Sequence, residues 1–153
     1  MKYLFGLAIS LLLFSGCEQH KEAFIKVYST ENSVQTVEKR LINRIKERGL
    51  HYYGLFDHSQ KAKEVGLRLP IKRVVLFGNP HFATTLMKCN ASMGLDLPLR
   101  VLISSTYEGE VSVSYTNPEY WSLKHNIKDK TCLRILNKAS MALDDLSSYA
   151  IEK

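Results

Sequence analysis

Apolar and polar positions along the chain follow two different periods, and each change of period marks an element. Residues 23–28 (AFIKVY) read as a strand that ends near Ser29-Thr30. From Ser33 onward the apolar positions Val34, Val37, Leu41, Ile42 and Ile45 recur every three or four residues. That spacing predicts an amphipathic helix, with Ser33 as its cap and Gly49 where a left-handed end is required. Residues 50–56 (LHYYGLF) predict an aromatic strand, and a short helix over 59–65 stops at Gly66. Arg73-Val74-Val75-Leu76-Phe77 is a continuous apolar run closed by Gly78-Asn79-Pro80, the mark of a buried strand that ends in a turn. Residues 81–89 predict a helix with Phe82, Leu86 and Met87 available for burial. Two further strands, 99–105 and 110–115, flank the turn Tyr107-Glu108-Gly109, and in the second Val111, Val113 and Tyr115 alternate with Ser112 and Ser114. A closing helix over 131–150 presents Leu133, Leu136, Ser140, Leu143, Leu146 and Ala150 as its inner stripe. The order is strand, helix, four strands with small helical insertions, helix: an α+β fold with no internal repeat.

The first residues do not belong to that pattern. Lys2 is followed by an unbroken apolar or small run from Tyr3 to Phe14, then Ser15-Gly16 and Cys17, after which Glu18 to Glu22 are polar. A secretory hydrophobic region is about 7–15 residues long, whereas a spanning helix needs about 20. The run is therefore read as an export signal over residues 1–16. Leu13-Phe14-Ser15-Gly16-Cys17 resembles a bacterial lipobox, with Phe14 where leucine is more usual. That resemblance implies a lipidated Cys17, a tether over 17–23, and a domain over 24–153. The class implies a diacylglyceryl group and an amide-linked acyl chain on the cysteine. Each buried methylene contributes about 0.8 kcal/mol, so two or more chains give a stable anchor. Glu18, where such proteins carry aspartate for inner-membrane retention, favours the outer membrane and its periplasmic side.

Loss of residues 1–16 removes Lys2 and lowers the formal charge from +6 to +5. Lys39, Arg40, Arg44, Lys46 and Arg48 cluster on the polar side of the first helix. They read either as a solvated face or as a contact for anionic lipid headgroups. Basic and aromatic residues do not interleave as they do on nucleic-acid surfaces. With Cys17 acylated, Cys89 and Cys132 remain as a pair in an oxidising compartment, either bridged or as two separate thiols. Their spacing to histidine is not that of a zinc site.

Five strings occur in order along the domain: Asp57-His58-Ser59, Phe77-Gly78-Asn79-Pro80, Thr84 to Met87, Leu95-Asp96-Leu97-Pro98-Leu99, and Ser114-Tyr115 followed by Pro118. Together they resemble the domain of unknown function 302 family, over roughly residues 24–150. The resemblance implies a β-α-β4-α two-layer sandwich with an antiparallel or mixed sheet, related to the TATA-binding-protein-like architecture and often dimeric. It brings no accepted reaction, ligand or cofactor. An open sheet edge would also suit a homodimer.

Candidate chemistry is sparse. Asp57 beside His58 is a carboxylate that can tune an imidazole; equally, Asp57 or Ser59 can cap the following helix. Asn79-Pro80 can present helix N–H groups and the Thr84 or Thr85 hydroxyl to an anion, or simply make the turn and open the helix. Asp96 lies between leucines, either bonded to its loop or lining a pocket. Met87 and His58 are haem-ligand types without a CxxCH motif, and no GxSxG, HExxH, P-loop or dinucleotide fingerprint occurs. Two readings follow. The first is an envelope-anchored binding domain for a small ligand or partner protein, with Asp57, His58, Asn79 and Asp96 converging on one cleft. The second is an envelope enzyme or redox accessory that uses Asp57, His58 and Asp96, with or without a cofactor.

Overall fold

The computed structural model describes residues 24–152; the leader, Cys17 and the tether lie outside them. Strand β1 (Ile25–Thr30) leads to helix α1 (Val34–Glu47), whose first turn is capped by the Ser33 hydroxyl accepting from the Thr36 N–H. Gly49, at φ +66°, takes the left-handed position that ends the helix. Strand β2 (His51–Asp57), helix α2 (His58–Glu64), strand β3 (Lys72–Gly78) and helix α3 (Pro80–Cys89) follow. A 3-10 turn (Ala91–Leu95) precedes the β4 (Leu99–Ser105) and β5 (Val111–Thr116) strands. A second 3-10 turn (Pro118–Tyr120), the short α4 (Trp121–Lys124) and the long α5 (Lys130–Ile151) close the chain. The 3-10 turns and α4 are single turns within stretches the hydrophobic pattern left as connections, too short to show a period.

The strands form one sheet in the order β1-β5-β4-β3-β2, with every neighbouring pair antiparallel. Alternation along the central strands sends Val75, Phe77, Val101, Ile103, Val111, Val113 and Tyr115 to one face, all buried. Helices α1 and α5 cover that face with Val37, Leu41, Ile45, Leu136, Leu143 and Leu146. Ile25, Val27 and Phe56 lie exposed on the edge strands. Leu133 does not join the inner stripe of α5 and is 38% exposed; Cys132 takes the buried position there because it faces α3. Of the five basic residues along α1, Lys39 and Lys46 are exposed, while Arg40, Arg44 and Arg48 find partners near α5. Because α1 and α5 lie side by side, Arg48 pairs with Asp145 at 2.5 Å, Arg44 reaches Asp145 at 3.4 Å and stacks on Tyr149, and Arg40 donates to the Glu152 carbonyl.

Two ties close the end of the sheet where β3 finishes and β4 begins. Cys89 and Cys132 are joined by a disulfide that links the last residue of α3 to the first turn of α5. Beside it, Asp96 is 7% exposed and is held by Lys124 Nζ at 2.8 Å, His125 Nε2 at 2.5 Å and Arg100 at 3.4 Å. Burial alone would raise this carboxyl, but the bonds from Lys124 and His125 outweigh it and hold Asp96 below the usual carboxylate range. The Asn90 amide donates to the His125 carbonyl at 2.8 Å, so the segments 90–98 and 124–125 are bound as one unit.

Because the Asp96 carboxyl is depressed in the folded state, its contribution is complete above the unfolded value of about 3.9 and is lost as pH falls through the folded value. Asp96→Ala should therefore cost about 3 kcal/mol at neutral pH, by leaving Lys124 without its counter-charge and the buried His125 Nε2–H without its acceptor. The penalty should shrink as pH drops below about 4, where the parent loses the same interaction. Urea denaturation of both proteins at pH 7 and pH 3 checks this; an equal difference at both values would refute the assignment.

Candidate functional site

Helix α3 does not lie flat on the core. Between it and α5 runs a groove of about 510 Å³, within the range of about 300–1,000 Å³ typical of small-molecule pockets. One wall is Phe82, Ala83, Leu86 and Met87 of α3; the other is Ile135, Lys138, Ala139 and Ala142 of α5. Leu50, Gly78 and Leu99 form the floor at the strand ends, and Gly94, Leu97 and Pro98 close one end. The lining is apolar apart from Asn79, Lys138 and the Tyr53 hydroxyl.

The local sequence explains this shape. Asn79 accepts from the N–H groups of His81 at 3.0 Å and Phe82 at 3.3 Å, and Pro80 occupies the first helical position. The cap thus occupies two of the N–H groups an anion at this terminus would use. Small side chains at Ala139 and Ala142 keep α5 from filling the space opposite α3. In β2 the register shifts between Tyr52 and Gly54, with Gly54 at φ +147°. That bulge leaves Tyr53 beside Gly78, where a Cβ on the glycine would meet the Tyr53 ring at 3.6 Å. Exposed Lys138 is the cation at the rim.

The structure separates the residues proposed to converge. Asp57 pairs with Arg73 in the β2–β3 register and His51 pairs with Gly78. At about 3.3 Å per residue, Asp57 and His58 therefore lie roughly 20 Å along the strand from Asn79. Asp57 caps α2 through the Gln60 N–H at 3.0 Å and pairs with Arg73 at 2.8 Å. Burial opposes ionisation there, but the Gln60 N–H and Arg73 override it and hold the carboxyl low. His58 is exposed, its ring edge-on to Phe56 at 4.8 Å. Thr84 is exposed on α3, and Thr85 donates back to the His81 carbonyl. Asp96 is at the groove's end of the sheet, but its oxygens are taken by Lys124, His125 and Arg100, and it does not line the cavity. Of the four, Asn79 alone lines the groove. Met87 lines it too, far from His58, so the two share no haem-sized space.

Two further clusters can be judged by their donor chemistry. Ser92 Oγ lies 2.7 Å from His125 Nδ1, and His125 Nε2 bonds to Asp96, a hydroxyl–imidazole–carboxylate chain. A carboxylate only accepts, so Nε2 donates to Asp96 while Nδ1 shares a hydrogen bond with the Ser92 hydroxyl. The N–H groups of Ser92 and Met93 are already taken by Asn90, so neither is left to stabilise an oxyanion. The chain works as a strap on the 90–98 loop. Cys89, Asp129 and Cys132 have ligand atoms within 4.8 Å of one another. Both sulfurs are bonded to each other, and Asp129 caps α5 through the Thr131 and Cys132 N–H groups. Sequence reasoning missed Ser92, Lys124, His125 and the α5 wall. The available signal for that wall was Ala139 and Ala142 beside Ile135 on one side of a leucine-rich helix.

Comparison with known proteins agrees with this architecture. The crystal structure of an uncharacterized conserved DUF302 protein from Bacillus stearothermophilus superposes with a TM-score of 0.73 at 18% identity, over 84% of this chain and 98% of that one. A stretch of 103 residues is 33% identical to the fluoride-specific ion channel FluC 1 of Brucella suis biovar 1 and to FluC 1 of Brucella abortus biovar 1. It covers 67% of this chain but only 40% and 38% of those proteins. The model of the family described as "Domain of unknown function DUF302" matches residues 25–146. With that match spanning the sheet and most of α5, the chain belongs to the DUF302 family.

Proposed function

We propose that this protein is a lipid-anchored envelope protein whose DUF302 domain binds a small, elongated apolar ligand with one anionic end, of the acyl-carboxylate type. The observation that carries the reading is the groove: about 510 Å³ of apolar lining with a single cation, Lys138, at its rim. An acyl chain would exchange water for that lining at about 25 cal/mol per Å² buried, and Lys138 would face its carboxylate. The export-type leader ending at Cys17 supports a membrane-tethered position. The Brucella relatives support it as well, since they carry a similar stretch inside proteins named as ion channels. No helix among the described residues is long and apolar enough to cross a membrane, so in this reading the lipid on Cys17 supplies the attachment.

Cys17→Ser should move the chain from the membrane fraction to the soluble envelope fraction or stall its processing; partition identical to the parent would sink the anchor. For the groove, the chain from residue 17 with Cys17→Ser is titrated with a fluorescent fatty acid and competed with palmitate. Ala139→Trp, which fills the cavity, should weaken binding at least tenfold, about 1.4 kcal/mol. Lys138→Glu should weaken a fatty acid about three- to fivefold, as befits an exposed charge pair, and leave a fatty alcohol unchanged. Absence of saturable binding, or equal effects of Lys138→Glu on acid and alcohol, would overturn the ligand assignment.

A further inference from the structure

Helix α3 buries unusually little of itself. Of its 10 residues only Leu86 is buried, while Phe82 and Met87 are 38% and 40% exposed along the groove. A cavity lies where packed side chains would normally fix a helix, so the dispersion contacts that resist its movement are missing. A covalent bond bridges the gap instead: Cys89, at the end of α3, is joined to Cys132 in the first turn of α5. These are the two helices that wall the groove. Cys132 is fully buried, but Cys89 is exposed, so an attacking thiolate approaches the bond from the α3 side.

We propose that the Cys89–Cys132 disulfide is a redox gate on this groove: oxidised, it clamps α3 toward α5 around the ligand; reduced, it frees the end of α3 and releases the ligand. The proposal rests on the ligand-binding reading above. The reductant is a dithiol. One donor thiolate attacks the Cys89 sulfur, the Cys89–Cys132 bond breaks, and Cys132 leaves as a thiolate that takes a proton. The second donor thiolate then closes the donor's own disulfide and expels Cys89, which is protonated in turn. Two electrons and two protons pass to the protein. Asn79 still caps the start of α3, so the movement pivots there. The bond from Asn90 to the His125 carbonyl persists beside Cys89, but a neutral hydrogen bond opens against water far more readily than a disulfide. The main core lies on α1, α5 and the sheet, so its packing is not built on this bond and α3 loosens first.

The test uses the chain from residue 17 with Cys17→Ser, leaving one cysteine pair, before and after treatment with dithiothreitol. Backbone hydrogen exchange is followed by mass spectrometry, and affinity and dissociation are followed with the fluorescent fatty acid. Reduction should speed exchange in α3 at least tenfold more than in α1 and β4, whose amides report the overall loss of stability, and speed probe dissociation at least tenfold. Re-oxidation should restore both, and Cys89→Ser/Cys132→Ser should behave as the reduced form with or without dithiol. Unchanged exchange in α3, a rise no greater in α3 than in α1 and β4, or saturable binding that is equal in both redox states would overturn the gate. If the probe binds neither state, the ligand reading itself falls and the gate with it, even where α3 is loosened.

Discussion

A helix with one packed side chain and an apolar cavity at its flank lacks the close-packed contacts that hold most helices in place. The groove of this protein depends on α3 being held beside α5 by other means. Its restraints sit at its two ends rather than along its length: Asn79 and Pro80 fix its entry from β3, and Cys89 with Asn90 fixes its exit. Asp96 extends the same restraint to the neighbouring loop by holding the 90–98 segment against Lys124 and His125. The floor of the groove is made of strand ends that the sheet would hold in place anyway. The wall is therefore the adjustable part and the floor the fixed part.

Three aspartates follow one electrostatic rule. Asp57, Asp96 and Asp145 are each partly desolvated, which favours the neutral acid, and each is returned to the charged side by cations or N–H donors from elsewhere in the fold. Asp57 meets Arg73, which also holds Glu38 of α1; Asp145 gathers Arg44 and Arg48. Part of the positive charge along α1 is thus met by Asp145 and the Glu152 carbonyl, while Lys39 and Lys46 stay exposed. Two tyrosines go the other way and are kept neutral: Tyr28 and Tyr115 both donate to Asp144, tying the β1–β5 edge to α5. Burial, reinforced by Tyr28 and Asp144, raises Tyr115 well above its ordinary value.

Much of the fold was legible in the sequence because its signals were periodic. The apolar positions of α1, the alternation in β5 and the closed run Arg73 to Phe77 each repeat often enough to define an element. The resemblance carried the same order of elements, and the family match agrees. The site was much less legible. Asp57 and His58 looked functional because a carboxylate adjoins an imidazole, yet sequence adjacency at a strand end says nothing of which end of an antiparallel sheet it occupies. Phe82 and Met87 read as core because hydrophobicity does not distinguish a packed interior from a cavity wall. The helical phase of α5 slipped at its start, where Cys132 rather than Leu133 turns inward. Gly54 inside β2 was the one local sign of irregularity, and the bulge it allows sets Tyr53 at the groove's rim.

The link between Cys89 and Cys132 also changes the topology of the chain as a polymer. The two cysteines are 43 positions apart, and the covalent ring they close contains β4, β5, both 3-10 turns, α4 and the whole Asp96 cluster. The elements from β1 to β3 lie outside it. A ring of that size lowers the entropy of the unfolded chain by an amount equivalent to about 4 kcal/mol at room temperature. That restriction falls on the later half of the molecule alone. An oxidised chain that has lost its structure would keep the β4–β5 hairpin segment near the start of α5, while the first three strands would be free to wander. The sheet is arranged so that these free strands pair onto the looped ones, β1 onto β5 and β3 onto β4.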